Sequence, residues 1–300
     1  MDKKGLTASF IFEAESGNYG EGIGNVTSLK KVSRGTGESY TYISRQALRF
    51  NIIEQMGENN TPLDVDGSVI QFAPDATIKD YAEIDLFGYM KTKKPTKTRA
   101  AVVRLSNAVS LESFNADLDF LTNKGLFDRY NAQGNEIKDG GNIAQSEIHK
   151  SYYAYTITID LDKVGIDENY QDESGNPLEI KSEEKAKRVR SLLDTIKFLY
   201  RDIKGRRENL SPIFAIGGVY DIKNPFFENK LKVKNNKLVI DAIKDVYGLD
   251  KAIKESTHVG LIKGIFSNDV KIIEELNAKG MGEFFNSLKG EVEKYYSENE

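Results

Sequence analysis

At 300 residues the chain is long enough for one large domain with insertions or for two ordinary ones, and its 39% hydrophobic and 29% charged residues describe a soluble globular protein. The absence of cysteine removes a disulfide framework, a thiolate nucleophile and the sulfur ligands of a usual zinc site. No apolar run approaches the roughly 18 residues of a membrane span and no apolar leader heads the chain, so a cytoplasmic protein without membrane partners is expected.

The formal net charge of −4 conceals segregation. Lys91, Lys93, Lys94, Lys97, Arg99 and Arg104 lie between Met90 and Leu111 with no acid among them. Asp160, Asp162, Asp167, Glu168, Asp172, Glu173, Glu179, Glu183 and Glu184 face only Lys163 and Lys181 in their own stretch. Opposite charge on separate surfaces suits head-to-tail self-association.

In chain order, Leu6–Glu13 reads as a first strand from its β-branched and aromatic content. The stretch from residue 17 to 49, "GNYGEGIGNVTSLKKVSRGTGESYTYISRQALR", begins as a glycine-rich loop whose only acids are Glu21 and Glu38. Ile43–Met56 reads as a helix, with Ser39 or Thr41 near its start and Gly57 just past its end. "EIDLFGYMK" and "TRAAVVRLS" are strand candidates, and Ser151–Leu161 is a stronger one.

Glu183–Ile203 has the clearest helical stripe, with Ala186, Val189, Leu193, Ile196, Tyr200 and Ile203 stepping by three and four, and Arg190, Lys197, Arg201 and Lys204 beside them. Pro212–Tyr220 reads as a strand ending at the pair Gly217–Gly218, residues 226–240 as an extended lysine-bearing hairpin, and the chain from Val270 on as helices.

Strand, helix, two strands, helix, strand is the order of the ferredoxin-like split βαβ fold of RNA-recognition domains. The expected class is therefore α+β: one RRM-like βαββαβ domain over residues 1–300. Insertions are expected at about 57–98 and 106–150 (finger or web) and 218–240 (thumb hairpin), with a mainly helical part over 241–300. No internal repeat or low-complexity tract is present.

Catalytic signatures are missing. Gly20, Gly22 and Gly24 spell G-x-G-x-G, which is not the dinucleotide spacing, and no phosphate-binding P-loop motif occurs. Asp160, Asp162 and Gly165 open like a calcium loop, but Val164 and Gln171 occupy positions where that loop needs oxygen ligands. His149 and His258 stand apart, in no metal-ligand spacing; His149 reads as a strand-entrance residue, with a phosphate contact as the alternative. No metal, cofactor or catalytic residue is expected. The rival reading is a metal-dependent ribonuclease using acids such as Asp64, Asp66 and Asp160; a third is an assembly protein whose basic patches serve protein contacts only.

Basic residues interleaved with tyrosines are the signature of single-stranded nucleic-acid binding, in which cations follow the backbone and rings stack on bases. Lys30, Lys31 and Arg34 suit phosphates, and Gly17, Gly20, Gly22 and Gly24 allow close main-chain approach. Tyr19, Tyr40 and Tyr42 are stacking candidates, with Asn18 beside them. Arg45 and Arg49, four apart on a helix, point the same way and bracket Gln46. Arg104 and Asn107 at the end of the basic island, and Arg206 and Arg207, complete the candidate set. Phe226 and Phe227 read either as plugs of a hairpin or as a wedge between bases. The usual RNA-recognition strand consensus is absent from "SYYAYTITIDL".

Three blocks in order, "TASFIFEAESGNYGEGIGNVTSLKKVSRGTGESYTYISRQALR", "EIHKSYYAYTITIDLDKVG" and "GRRENLSPIFAIGGVYDIKNPFF", resemble the DevR-like backbone subunit of type I-B CRISPR Cascade complexes over most of residues 6–240. The last 60 residues contribute little to the resemblance. It implies a non-enzymatic subunit with a hand-shaped RNA-recognition fold, several copies of which polymerise along the guide RNA spacer beside other Cascade subunits. It also implies bases left open for target DNA in antiviral defence. A thumb would fold over the guide at intervals and kink out a nucleotide. By the same resemblance Lys30, Lys31, Arg34, Arg45 and Arg49 contact the guide backbone, and Gly217 and Gly218 with "NPFF" begin the thumb. Related subunits of type III complexes cut RNA with an aspartate after the first strand; residues 14–42 contain none, so that activity is not expected.

Overall fold

A computed structural model describes residues 3–15, 19–23, 26–115, 117–135 and 143–299. In the first strand, β1 (Gly5–Ala14), Leu6, Ala8, Phe10, Phe12 and Ala14 alternate onto one face and Thr7, Ser9 and Ile11 onto the other, as the period of two requires, and both sets are buried. A strand buried on both faces belongs in the middle of a sheet. The main elements are β2 (Ser39–Ile43), α1 (Arg45–Met56), β3 (Ala108–Ser110), β4 (Ser151–Asp160), α2 (Ser182–Lys197), β5 (Phe214–Tyr220), β6 (His258–Leu261) and α3 (Met281–Glu298).

The sheet runs β6-β5-β1-β4-β3-β2, with Val103–Leu105 also pairing with β4 and Lys31–Ser33 at the β2 edge. The register sets Phe10 opposite Tyr155 and Ala215, and all pairs along this run are antiparallel. Helices α1, α2 and α3 cover one face. There Phe10 stacks on Phe285 at 6.1 Å between centroids and meets Phe284 edge-on at 6.4 Å, among Leu48, Ile52, Val189, Leu193 and Val292. On the other face Ile11, Phe214 and Ile216 are covered by residues between 227 and 278, including Leu231, Ile243 and Ile272. Each such side chain contributes roughly 1.5–3 kcal/mol by leaving water.

Several expectations are corrected. The glycine-rich stretch is not only loop: Tyr19–Ile23 and Val26–Leu29 pair, and Val26–Leu29 joins Ile143–Ile148, itself paired with Asp117–Thr122, in a separate four-stranded sheet. Helix α1 is capped by Ser44, whose Oγ accepts from the Ala47 N–H at 3.3 Å, rather than by Ser39 or Thr41, which lie in β2 or its start. Gly57 closes it as expected, at φ 72 in the left-handed region.

"EIDLFGYMK" begins as a helix, Ala82–Phe87, before the strand Tyr89–Lys91. Helix α2 stops at Lys197, and Tyr200–Ile203 turns back as a hairpin with Arg206–Asn209. Lys204 and Gly205, both at positive φ, make the turn; the continuing 3-4 spacing of Tyr200 and Ile203 hid it. Gly217 and Gly218 sit inside β5, not at its end. A Cβ at Gly217 would collide with the Thr7 carbonyl, and one at Gly218 with that of Ser256. The 226–240 hairpin contracts to two-residue strands, Val233–Lys234 and Lys237–Leu238, turned by Asn235 and Asn236 at positive φ.

The opposed charge segments meet within one molecule. Arg104 donates to Asp160 through both terminal nitrogens at 3.1 Å, Arg99 to the carbonyls of Lys163 and Ile166 at 3.0 and 3.1 Å, and Lys97 lies 3.5 Å from the Tyr170 ring centroid. Of these contacts only Arg104–Asp160 is an ion pair between the two segments.

Candidate nucleic-acid interface

Helix α1 follows directly on β2, so its first turns emerge at the edge of the sheet, where Val103–Leu105 lies alongside. Arg45, Gln46 and Arg49 from the helix and Arg104 from the strand line one pocket of about 410 Å³, with Phe87 and Leu105. The i, i+4 spacing thus brings both helical arginines to the same place. Asn107 fixes the corner: its Oδ1 accepts from the Arg45 backbone N–H at 2.9 Å, satisfying one orphan donor of the helix start. Its other side borders a cleft of about 530 Å³ on the sheet face away from the helices, which Arg34, Ser106, Thr156, Asn229 and Lys232 also line.

The cations here differ in their partners. Arg45 is exposed and makes no ion pair among the described residues, and the same holds for Lys30. Arg34 stacks over Tyr40 at 4.1 Å; Tyr40 is buried and its hydroxyl donates to Glu38 at 2.8 Å, which raises the phenol's pKa. Arg49 is half-buried, 5.0 Å from the Phe87 ring centroid and 3.5 Å from Glu83. Burial, the largest influence, pulls the pKa of Arg49 below its ordinary value, and Glu83 opposes the shift. Lys31 pairs with Glu147 at 2.8 Å and lies over Phe114.

Other candidates gather elsewhere. Tyr19 receives Lys204 over its ring at 4.0 Å, and Arg206 of the same hairpin binds Glu15 at 2.5 Å and Glu208 at 2.8 Å. Arg207 pairs with Asp202 at 2.8 Å over the Tyr200 ring. This cluster forms a second, largely neutralised patch. Asn18, Gly17 and Gly24 lie outside the described residues. Phe227 is 1% exposed in the second core, and the half-buried Phe226 meets Tyr220 edge-on at its border. The rings of Tyr153 and Tyr155 pack in the core under the helices.

The basic island is divided: Lys91 and Arg99 are internal, whereas Lys93, Lys94 and Arg104 are exposed. Lys91 is buried with its ammonium on the Ala76 carbonyl (2.5 Å) and the Tyr170 hydroxyl (2.8 Å), and burial lowers its pKa. Arg99 shares Asp85 with Arg188, at 2.8 and 2.9 Å, and Lys93 pairs with Asp64 at 2.5 Å. His149 is a strand-entrance residue whose Nδ1 lies 2.8 Å from the Thr41 hydroxyl. The acids of the ribonuclease reading have separate partners: Asp64 has Lys93, Asp66 has the Thr92 hydroxyl, and Asp160 has Arg104. Among the described residues no three His, Asp or Glu side chains form a metal-holding group.

Sequence reasoning missed Glu83, Lys204, Ser106 and Lys232. Glu83 and Lys204 act across 34 and 185 positions, and no local pattern marks such pairs.

The mixed α+β architecture is shared with solved chains described as "CRISPR RNA-guided surveillance complex, pre-nicking" (TM-score 0.58, 12% identity, 87% of this chain and 93% of that one) and "CRISPR RNA-guided surveillance complex" (TM-score 0.56, 13% identity, 96% and 98%). At these identities the likeness is one of fold. The sequence model of the family described as "CRISPR-associated negative auto-regulator DevR/Csa2" matches residues 6–239, and the chain belongs to that family. A curated relative, "CRISPR-associated protein Cas7/Cst2/DevR" of Myxococcus xanthus (strain DK1622), is 27% identical over 162 residues, 47% of this chain. The match spans about half of that relative, 52% of its length. No helix among the described residues is long and apolar enough to cross a membrane.

Proposed function

We propose that this protein is the guide-RNA-binding backbone subunit of a type I-B Cascade effector, and that copies of it line up along the guide. Arg34, Arg45, Gln46, Arg49, Arg104 and Asn107 follow the RNA backbone. The single observation that carries the site is the pocket in which Arg45, Gln46, Arg49 and Arg104 converge. Family membership over residues 6–239 supports the guide-complex role.

The palm reading is ferredoxin-like: β1, α1, β3, β4, α2 and β5, with β5-β1-β4-β3 as neighbours, have that connectivity. Outside the palm strands β3 and β5, the insertions at 57–98 and 106–150 serve as finger and web, and 218–240 as thumb. The role is cytoplasmic and non-enzymatic: the protein holds backbone and shape, base pairing supplies sequence, and the exposed bases support target DNA recognition.

The test is expression with a CRISPR array, followed by size exclusion and gel analysis of copurifying nucleic acid. The expected result is RNA protected at regular steps in a high-mass peak. A nucleic-acid-free monomer that also fails to bind added guide overturns the reading.

A further inference from the structure

The pocket at the start of α1 holds three arginines, and two carboxylates already occupy two of them. Arg49 reaches Glu83 at 3.5 Å, the outer limit of a hydrogen bond, and Arg104 places both terminal nitrogens on a single oxygen of Asp160 at 3.1 Å. Neither pair is the two-oxygen fork that makes arginine–carboxylate contacts strong. Both acids are more enclosed than their arginines, 14% against 35% exposed for Glu83 and Arg49 and 9% against 48% for Asp160 and Arg104. The guanidinium is therefore the accessible half of each pair. Asp160 also has Lys163 at 3.6 Å and Lys223 at 3.7 Å, so it keeps cationic partners if Arg104 turns away.

We propose that Glu83 and Asp160 are selectivity residues, holding Arg49 and Arg104 so that an isolated phosphate gains little while an extended single-stranded RNA backbone displaces them. This inference rests on the guide-binding reading of the same pocket. A lone phosphate that captures Arg49 exchanges one anion for another and leaves Glu83 beside the newcomer, where like charges repel. A chain of phosphates gains Arg45 and Arg34 at the same time, and neither makes an ion pair among the described residues. The exchange also leaves a mark on salt dependence. When Arg49 moves to a phosphate, the counterion released from the RNA is offset by one taken up at the bared Glu83, so Arg49 is nearly silent in the slope of log K against log salt; Arg104 is less so, because Lys163 and Lys223 stay on Asp160.

Glu83 has Arg49 as its one ion-pair partner among the described residues, so E83Q removes charge without opening a core. Binding of fluorescent poly(U) RNA is measured across a sodium chloride series for wild type, E83Q and D160N, with inorganic phosphate as competitor and a thermal melt to verify folding. E83Q is expected to bind about fivefold tighter, with a slope steeper by about 0.7, and to be inhibited by phosphate at lower concentration than wild type. D160N shifts the same way by less, because two lysines then lose a partner. Unchanged or weaker binding by E83Q with an unchanged slope overturns the proposal and makes Glu83 a plain support for Arg49. Failure of the wild type to bind either poly(U) or guide RNA at any salt instead overturns the guide-binding reading, before Glu83 is tested.

Discussion

Two basic stretches of this chain look alike in sequence and differ in the folded molecule. The stretch 91–104 carries six cations and no acid, yet Lys91 is buried on carbonyls and Arg99 sits on Asp85, so two of its cations are built into the interior, while Arg104 stays exposed beside Asp160. The stretch 30–49 is no richer in charge, but Lys30 and Arg45 make no ion pair among the described residues and Arg34 lies flat on a ring. Charge density along a chain is therefore a poor guide to charge on a surface, because acids distant in sequence decide which cations remain available.

The sharpest way to break this contrast is to remove one arginine from each stretch. Asp85 is fully buried and is held by Arg99, Arg188 and the Gly165 N–H at 2.8 Å. Arg99→Ala leaves that carboxylate under-compensated, and a loss of about 3–5 kcal/mol in urea unfolding is expected, with RNA binding by the surviving folded protein little changed. A shift below about 0.5 kcal/mol, the size of an ordinary surface substitution, would show that Arg99 is not structural. Arg45→Ala should do the reverse. It should leave the melting temperature in place, weaken RNA binding by about fivefold to tenfold irrespective of sequence and flatten the salt slope by about 0.7. Arg49→Ala should weaken binding with a smaller change in slope, because Glu83 already neutralises it.

The same rule explains what was legible in the sequence. Strands β1 and β4 were readable from their β-branched and aromatic content, and α1 because its left-handed Gly57 terminates it. Helix spacing and charge named Arg45, Gln46, Arg49 and Arg104 as candidates, and they line one pocket. Their carboxylate partners were not, since Glu83 and Asp160 reach them from 34 and 56 positions away. The end of α2 was missed because Tyr200 and Ile203 keep the helical spacing beyond Phe198, and only Lys204–Gly205 marks the turn.

A smaller effect separates the buried hydrogen-bonded histidine from the exposed cations near it. Burial holds the pKa of His149 below its ordinary 6.5, although Glu112 and Asp117 oppose the shift. The unfolded chain therefore takes up the proton first, so the stability contribution is complete above about pH 6.5 and declines as pH falls toward the folded pKa, by at most about 1.4 kcal/mol per unit. Urea midpoints at pH 7.5 and 5.5 should differ more for wild type than for His149→Gln. Equal pH dependence in the two would assign the acid sensitivity to other groups.

The smallest expected effect lies in the core and has the opposite sign. Tyr155 is 2% exposed, packed 5.2 Å from Phe10 and edge-on to Phe12, and its hydroxyl finds no partner among the described residues. Tyr153, two residues back on the same face of β4, instead places its hydroxyl 2.7 Å from that of Thr41. An unsatisfied buried hydroxyl costs about 1–3 kcal/mol, whereas removing a satisfied one forfeits about 1 kcal/mol. Tyr155→Phe should therefore raise stability by about 1 kcal/mol and Tyr153→Phe should lower it by a similar amount, both read as shifts in the urea midpoint. If the two substitutions move the midpoint in the same direction, the hydroxyl of Tyr155 is satisfied in solution and the difference between these neighbouring rings is one of packing alone.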